Sequence, residues 1–224
     1  NIVIFTNQQC TLDKHTGKLK FPKKVLPMRK TKVDNICEVR VIPKTSHLVL
    51  EIVYEKKENN LVKNSNTFLS IDPGINNLLT CATNDTGLRP FVINGKIVKS
   101  WNQYYNKRKS ELQSDSEKFH ESVLTRRIRR LILKRECKIE DFFHKASNYV
   151  IEFCIRFNIG TIVLGRNKNW KQECNMGKRN NQNFVSIPFY KLFRMIKYKA
   201  ELVGIKVIET EESYTSKCSF LDLE

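Results

Sequence analysis

The chain has 224 residues, with 40 lysines and arginines against 23 aspartates and glutamates, a formal net charge of +17 at pH 7. Such an excess of cations indicates an acidic partner. The longest apolar runs are far shorter than the roughly 20 residues that cross a bilayer, and no charged-then-apolar leader opens the chain, so we expect neither membrane insertion nor secretion. With 40% hydrophobic residues, the chain has enough apolar side chains to form the buried core of one large or two small domains.

The first 60 residues alternate short β-rich runs with turns. The pattern predicts strands at residues 2–5, 17–21, 37–42 and 47–54, with Pro22, Pro27 and Pro43 between them. This arrangement predicts a small antiparallel barrel or sheet. The polar stretch 56–66 carries no apolar periodicity and is typical of a connection, so we place a domain of residues 1–60 before a second domain of residues 61–224.

The second domain begins with three predicted strands, at residues 67–72, 78–83 and 91–98, which form a meander. Residues 100–158 contain no Pro or Gly and have apolar residues at helical spacing, so we predict a long helical region. A strand at 161–164, a helix from Pro188 to Gly204 and a strand at 205–208 follow. The last two strands are joined through a helix and should be parallel neighbours. This order is that of an RNase H-like layer fold, although periodicity alone is also compatible with another mixed α/β sheet.

Most of the net charge lies in two segments. Residues 101–135 carry +6 and residues 164–199 carry +8. Clustered cations neutralise a phosphate backbone, and aromatic side chains among them stack on bases, so nucleic acid is the predicted partner. A solvated helix face or a membrane surface are the alternatives for such a run.

The seven cysteines lie at positions 10, 37, 81, 137, 154, 174 and 218. No two of them are close enough for a CxxC pair, so we predict no zinc site and no disulfide framework. Free thiols are typical of a reducing compartment, and we expect an intracellular protein that is found with the DNA. The chain starts at Asn1 rather than Met and stops at Glu224, so we expect a fragment.

Two acidic positions are candidates for metal-dependent phosphodiester hydrolysis, which needs carboxylates from separate strands to converge on divalent ions. Asp72 follows an apolar strand and precedes Pro73-Gly74, where the chain turns. A turn role for this Asp is the alternative. A second acidic cluster, Glu209-Thr210-Glu211-Glu212, follows the last predicted strand, and strand parity does not choose between Glu211 and Glu212. The alternative is that these acids cap the strand against the surrounding basic surface.

Ordered motifs across residues 67–222 resemble the TnpB/OrfB family of transposon-encoded proteins and its Fanzor relatives. These motifs are SIDPGINNLLT at 70–80, GK at 95–96, KSWNQYYNK at 99–107, IVLGRNKNWKQ at 162–172, IPF at 187–189 and EESYTSKCSFLD at 211–222. The resemblance implies a RuvC-like nuclease domain with an RNase H-like fold, preceded by a wedge-like β-barrel. It also implies RNA-directed cutting of DNA.

The resemblance also assigns site residues. Asp72 matches the first metal-binding Asp of the RuvC triad, while the strand that ends at Leu164 is followed by no acid. This resembles a subgroup whose Glu has moved to the strand before Tyr-Thr-Ser-Lys, which points to Glu212, or otherwise to Glu211. The third family carboxylate has no counterpart before Glu224, so we expect truncation at the C-terminus.

Nucleic-acid contacts are implied for a further set of residues. They are Trp101, Tyr105, Arg126, Arg127, Arg130, Lys168, Trp170, Lys171, Tyr214, Thr215, Ser216 and Lys217. The sequence thus predicts the core of an RNA-guided DNA endonuclease of a transposable element, dependent on Mg²⁺ in a two-metal mechanism, with guide RNA and target DNA as partners. The alternative is a catalytically incomplete nucleic-acid-binding module of the same family.

Overall fold

The computed structural model describes residues 2–22, 26–57, 66–118, 124–165 and 186–211. The chain divides into two compact units, one of Asn1–Lys57 with Leu124–Leu133 and one of Glu58–Val123 with Lys134–Glu224. No helix within the described ranges is long and apolar enough to cross a membrane.

The first unit contains two antiparallel sheets around a small apolar cluster. Its strands are β1 (Val3–Thr6), β2 (Thr11–Asp13), β3 (Lys18–Lys20), β4 (Arg29–Lys30), β5 (Ile36–Pro43) and β6 (Leu48–Tyr54). They pair in the orders β1-β5-β6 and β2-β3-β4. Phe5, Leu19, Phe21 and Val39 are buried in the cluster, and the rings of Phe5 and Phe21 meet edge to face at 5.9 Å.

The predicted β-barrel is wrong for the described residues, where both sheets of the first unit are open. The strands β2, β3 and β4 have only three, three and two residues. Strands this short pair over one or two ladder steps and do not extend into a neighbouring sheet. The strands β2 and β4 were not predicted, because two or three residues are too few to show an alternation of apolar and polar side chains.

The second unit contains one five-stranded sheet and three helices, although the first residues of α2 group with the first unit. The elements are β7 (Phe68–Pro73), β8 (Asn77–Thr83), β9 (Phe91–Asn94), α1 (Lys96–Lys118), α2 (Arg126–Arg156), β10 (Thr161–Gly165), α3 (Phe189–Glu201) and β11 (Lys206–Thr210). The strand order is β11-β10-β7-β8-β9. The first three strands form the predicted antiparallel meander, and β10 is parallel to both β7 and β11, as predicted.

The helices cover one face of this sheet. Alternate residues of β7 and β10 are buried, and they join the core formed by α2 and α3. The core residues include Leu69, Ile71, Ile162, Leu164, Phe143, Val150, Leu192 and Ile196. The other face of β7, with Phe68, Ser70 and Asp72, is exposed. We call these the covered face and the open face.

Polar caps set the helix ends. The Thr125 side chain accepts a hydrogen bond from the Ile128 N–H at 3.4 Å, which starts α2. Asn158, with φ of 52°, follows α2, and Gly204, with φ of 80°, ends α3 as predicted. Ile205 N–H then donates to the Ala200 carbonyl at 2.9 Å.

The prediction of a strand over residues 91–98 is wrong beyond Asn94. The Asn94 side chain accepts a hydrogen bond from the Lys96 N–H at 2.8 Å, and α1 begins there. An Asn at this position satisfies one of the free N–H groups of the first helical turn. The β-branched residues that follow are then part of the helix, and Val98 is buried in the core.

A half-buried arginine links the helices of the second unit. Arg135 Nε donates to Asn102 Oδ1 at 2.7 Å, and an Nη atom of the same guanidinium donates to the Ser186 carbonyl at 2.7 Å. The guanidinium also lies over the Tyr105 ring, 4.9 Å from its centroid. Burial lowers the pKa of Arg135. This arginine therefore connects α1, α2 and the residues before α3.

We predict that Asn102→Ala lowers the free energy of unfolding by about 1–3 kcal/mol, because it leaves a partly buried guanidinium N–H without its acceptor. Urea denaturation measures the change. Gln103→Ala is the matched control, since Gln103 is the exposed neighbour in the same helix, and we expect a change within about 0.5 kcal/mol. Equal losses in the two variants would contradict the role given to this link.

Candidate active site and nucleic-acid surfaces

Asp72 lies on the open face near the carboxyl end of β7. Its cross-strand partner in β8 is Thr80, which therefore has its side chain on the same face. Much of the Asp72 side chain is exposed, but partial burial still raises the pKa of its carboxyl above the ordinary value. The carboxylate is thus accessible from the open face and lies in a site that disfavours its unpaired charge.

The turn after Asp72 is held from the junction of β9 and α1. Gly95 N–H donates to the Asn76 carbonyl at 2.8 Å, and Lys99 Nζ donates to Asn76 Oδ1 at 3.0 Å. Within the turn, Gly74 N–H donates to the Leu78 carbonyl at 3.3 Å. The turn is therefore anchored through both the backbone and the side chain of Asn76.

Gly95 is required by a close backbone approach. A Cβ atom at this position would lie 2.4 Å from the Ile75 carbonyl oxygen and 3.0 Å from the Leu78 nitrogen. Both neighbours are backbone atoms of the turn, so they move only if the turn moves. The glycine of the GK motif thus allows the start of α1 to pack on the chain that follows Asp72.

We predict that Gly95→Ala destabilises the protein by about 1–3 kcal/mol, the usual cost of forcing an extra carbon into a packed site. Thermal or urea unfolding measures it. Gly87→Ala is the control, because its added Cβ would meet only the end of the Asp85 side chain, at 3.3 Å. A Gly95→Ala protein as stable as the Gly87→Ala protein would show that the turn yields easily.

The carboxyl ends of β7, β10 and β11 meet at one edge of the sheet. Leu164 is paired with Ile71 on one side and with Glu209 on the other, and Gly165 is paired with Thr210. One step along β7, Asp72 shares the row of Thr210, two strand spacings or about 9–10 Å away. Glu209 is in the same row as the buried residues Leu164 and Ile71, so it lies on the side of the covered face. Glu211 directly follows the end of β11.

The donor chemistry at this edge fits a hard divalent cation. Carboxylate oxygens, such as those of Asp72 and Glu211, are the ligands that Mg²⁺ prefers. Among the described residues, no group of three or more His, Cys, Asp or Glu side chains could hold a metal ion. Asp72 and Glu211 alone therefore do not constitute a complete metal centre in that part of the chain.

Two of the predicted nucleic-acid contacts have packing roles in the second unit. Trp101 is half-buried against the core, edge to face with Phe142 at 6.0 Å, and Lys138 lies 5.5 Å from its ring centroid. Tyr105 is half-buried and carries Arg135 over its ring. Contact of either ring with nucleic acid stays a prediction.

The arginines at the start of α2 project to the surface. Arg126, Arg127 and Arg130 are exposed, whereas Ile128 between them is buried. None of the three forms an ion pair with a carboxylate in the described ranges. This arrangement leaves the three charges available to an anionic partner.

The remaining predicted residues lie outside the described residues. They are Lys168, Trp170, Lys171, Glu212, Tyr214, Thr215, Ser216 and Lys217.

Sequence analysis missed a basic surface in the first unit. The sheet β2-β3-β4 and its turns carry six exposed cations: Lys14, Lys18, Lys20, Arg29, Lys30 and Lys32. Lys18 of β3 is paired with Lys30 of β4 on one side and with Asp13 of β2 on the other, so the repulsion between the two lysines is offset in part by an acid. Asp13 at its edge is bonded to its own turn, and its hydrogen bond with Thr16 lowers its pKa. A count of cations over residues 14–32 could have found this surface.

The described cysteines are free. Cys81 and Cys154 are fully buried in the core, and burial raises the pKa of each to about 12. Such thiols stay protonated at neutral pH and are poor metal ligands.

Comparison with known families and proteins gives consistent matches. The family model OrfB_IS605, described as a probable transposase, matches residues 51–171, and a Cas12f1-like TNB domain model matches residues 189–222. The chain is 29% identical over 202 residues to the TnpB-like protein ORF457 of Acidianus two-tailed virus, covering 80% of the chain and 43% of that protein. It is 38% identical over 77 residues to the CRISPR-associated endodeoxyribonuclease Cas12f1 of Sulfoacidibacillus thermotolerans, covering 34% of the chain and 17% of that protein.

Solved structures show the same fold. A cryo-EM structure of a Cas12f1–sgRNA–target DNA complex matches with a TM-score of 0.61 at 16% identity, over 81% of this chain and 37% of that chain. A CRISPR-Cas12f ternary complex matches with a TM-score of 0.56 at 18% identity, over 84% of this chain and 38% of that chain. The chain spans less than half the length of these relatives.

Proposed function

The chain belongs to the OrfB_IS605 family of probable transposases, and on this basis we propose that it forms the core of an RNA-guided DNA endonuclease encoded by a transposable element. The observation that supports this most strongly is the position of Asp72 at the carboxyl edge of the sheet, on a face that is open in the described residues. The proposed partners are guide RNA and target DNA, and the proposed location is with the DNA. We assign residues 61–224 to the nuclease core.

The proposed fold of this core is RuvC-like, within the RNase H-like class. The support is the strand order β9-β8-β7-β10-β11. The strands β7, β8 and β9 form an antiparallel meander, and β10 and β11 both run parallel to β7. In an α/β sheet of this kind, ligands bind beyond the carboxyl ends of the parallel strands. Asp72 is at the end of β7 and Glu211 directly follows β11.

The proposed site holds Mg²⁺ through Asp72 and Glu212 or Glu211. Bound Mg²⁺ supplies an activated water and stabilises the leaving oxygen of the phosphodiester. The role of the chain is to hold the carboxylates at the edge of the sheet, and the turn anchored by Gly95 and Lys99 fixes where β7 ends. The raised pKa of Asp72 favours a cationic ligand, because a cation stabilises the charged form that burial disfavours.

The choice of Glu212 before Glu211 rests on the sequence resemblance. Glu209 shares a row with the buried residues Leu164 and Ile71, and Thr210 shares the row of Asp72. The strand β11 ends at Thr210, so the alternation of faces applies as far as that residue. We propose membership of a Fanzor-like subgroup of the family, and the support is the sequence Glu211-Glu212-Ser213-Tyr214-Thr215-Ser216-Lys217 together with the lack of an acid directly after Leu164.

We predict that Asp72→Asn reduces guide-directed DNA cleavage at least about 100-fold, the effect of losing several kcal/mol of metal-based stabilisation, while RNA binding is unchanged. Gel assays with matched guide and target measure both. Cleavage at the wild-type rate would make this site assignment wrong.

A thermal measurement tests the same residue without cleavage. The pKa of Asp72 is higher in the folded state, so the folded form is favoured below the unfolded pKa, and this advantage is lost as the pH rises through the folded pKa. At pH 7 without divalent ions, Asp72→Asn should therefore raise Tm slightly, by about 1 °C. Adding Mg²⁺ should raise Tm of the wild type and not of the variant.

We predict that Glu212→Gln lowers cleavage as strongly as Asp72→Asn, whereas Glu211→Gln changes it by less than about threefold, because the proposal assigns the second metal carboxylate to Glu212. The two variants differ by one position and remove the same charge, so each is the control for the other. A reversed pattern would assign the ligand to Glu211.

The alternative function is a nucleic-acid-binding module that does not cleave. It is supported by the basic surfaces at β2-β3-β4 and at the start of α2, which need no carboxylate to bind nucleic acid. It predicts RNA binding that weakens steeply with salt and no divalent-dependent nicking. Tight binding that is indifferent to salt would contradict it.

A further inference from the structure

The four cations of α3 fall into two classes. Lys191 Nζ donates to Glu140 Oε1 of α2 at 2.6 Å. Lys199 Nζ donates to the His144 carbonyl at 3.0 Å and to Ser147 Oγ at 2.7 Å, and burial lowers its pKa. These two lysines fasten α3 to α2 and are not available to a ligand.

The other two cations, Arg194 and Lys197, are exposed. Neither has an ion pair or a side-chain hydrogen bond with any residue in the described ranges. Two aromatic side chains flank them, Tyr190 with 63% of its surface exposed and Tyr198 with 40%. The spacing places the four side chains on successive turns of the outer side of the helix. We call Tyr190, Arg194, Lys197 and Tyr198 the α3 outer stripe.

The outer stripe and Asp72 belong to opposite sides of the sheet. Leu192, Phe193 and Ile196 of α3 are buried in the core on the covered face, so the outer stripe is directed away from the sheet. Asp72 lies on the open face. A nucleic-acid strand bound to the stripe is therefore a different stretch from the one that Asp72 meets.

We propose that the α3 outer stripe binds an unpaired stretch of guide RNA. Arg194 and Lys197 contact its phosphates, and the Tyr190 ring stacks on a base, which is free to stack only when unpaired. The Tyr198 ring already has Lys199 Nζ at 5.9 Å from its centroid, so the stacking is assigned to Tyr190. RNA is the inferred occupant because the DNA to be cut must reach the opposite face. The inference rests on the proposed function and adds to it a surface for the guide.

Fluorescence anisotropy with a labelled, unstructured RNA of about 12 nucleotides tests the charges. The probe is titrated with protein that carries Arg194→Gln and Lys197→Gln. Loss of two phosphate contacts should flatten the slope of log K against log [salt] by about 1.4. The control carries Lys145→Gln and Arg156→Gln, which remove two exposed charges from α2, and its slope should be unchanged. Circular dichroism melting verifies that both proteins are folded.

Tyr190 variants test the stacking. Tyr190→Leu should weaken binding of the unpaired RNA at least about fivefold, the lower end of the effect of one lost base–ring stack, without changing the salt slope. Tyr190→Phe keeps the ring and should bind like the wild type. Neither variant should change the binding of a fully paired RNA duplex of the same length.

Three results would overturn the inference. Equal losses of RNA affinity in the stripe variant and in the α2 control would show a general effect of net charge. RNA binding at the wild-type affinity by all stripe variants would show that RNA does not bind to this surface. Losses confined to single-stranded DNA of the same sequence would assign the stripe to DNA. In each case the proposed nuclease remains testable at Asp72, whereas a wild-type protein that binds no RNA at all would overturn the proposed function as well.

Discussion

The parallel pairing of β7 with β10 is the constraint on which the second unit depends. It brings Leu69 beside Ile162 and Ile71 beside Leu164, residues separated by more than ninety positions in the chain. Parallel neighbours need a long crossover, and α1 and α2 supply it while they cover one face of the sheet. Asp72 lies one residue beyond this ladder, on the face that the crossover leaves open.

Elements with a clear period were predicted well. The strands β7, β10 and β11 and the helix α3 were predicted within about two residues, because alternation and helical spacing both reflect burial of one side. The predicted strand extended beyond the end of β9, because the helix cap at Asn94 depends on a single hydrogen bond from the Lys96 N–H to the Asn94 side chain. The prediction of a barrel was wrong, because the alternation of side chains along one strand does not show which other strands it pairs with.

The candidate site was predictable in part. The motif around Asp72 identified the carboxylate, but only the register of β10 and β11 shows which rows face it. Charge counting predicted a nucleic-acid partner, but it did not distinguish the cations that are bonded within the fold from those that are exposed. Arg135, Lys191 and Lys199 contributed to that count, yet each is bonded to neighbouring helices. Which cations are bonded within the fold depends on tertiary contacts, and sequence spacing does not reveal these contacts.

The opposed lysines of the first unit have a consequence for how the protein responds to ionic strength. Lys18 faces Lys30 of β4 on one side and Asp13 of β2 on the other, so the repulsion between the two lysines is offset in part and is largest in dilute buffer. Added salt screens that repulsion and stabilises the free sheet, while it weakens any complex with a polyanion through counterion release. Salt therefore favours the unbound sheet in two ways, and a phosphate backbone bound there would also stabilise this part of the fold as a counterion.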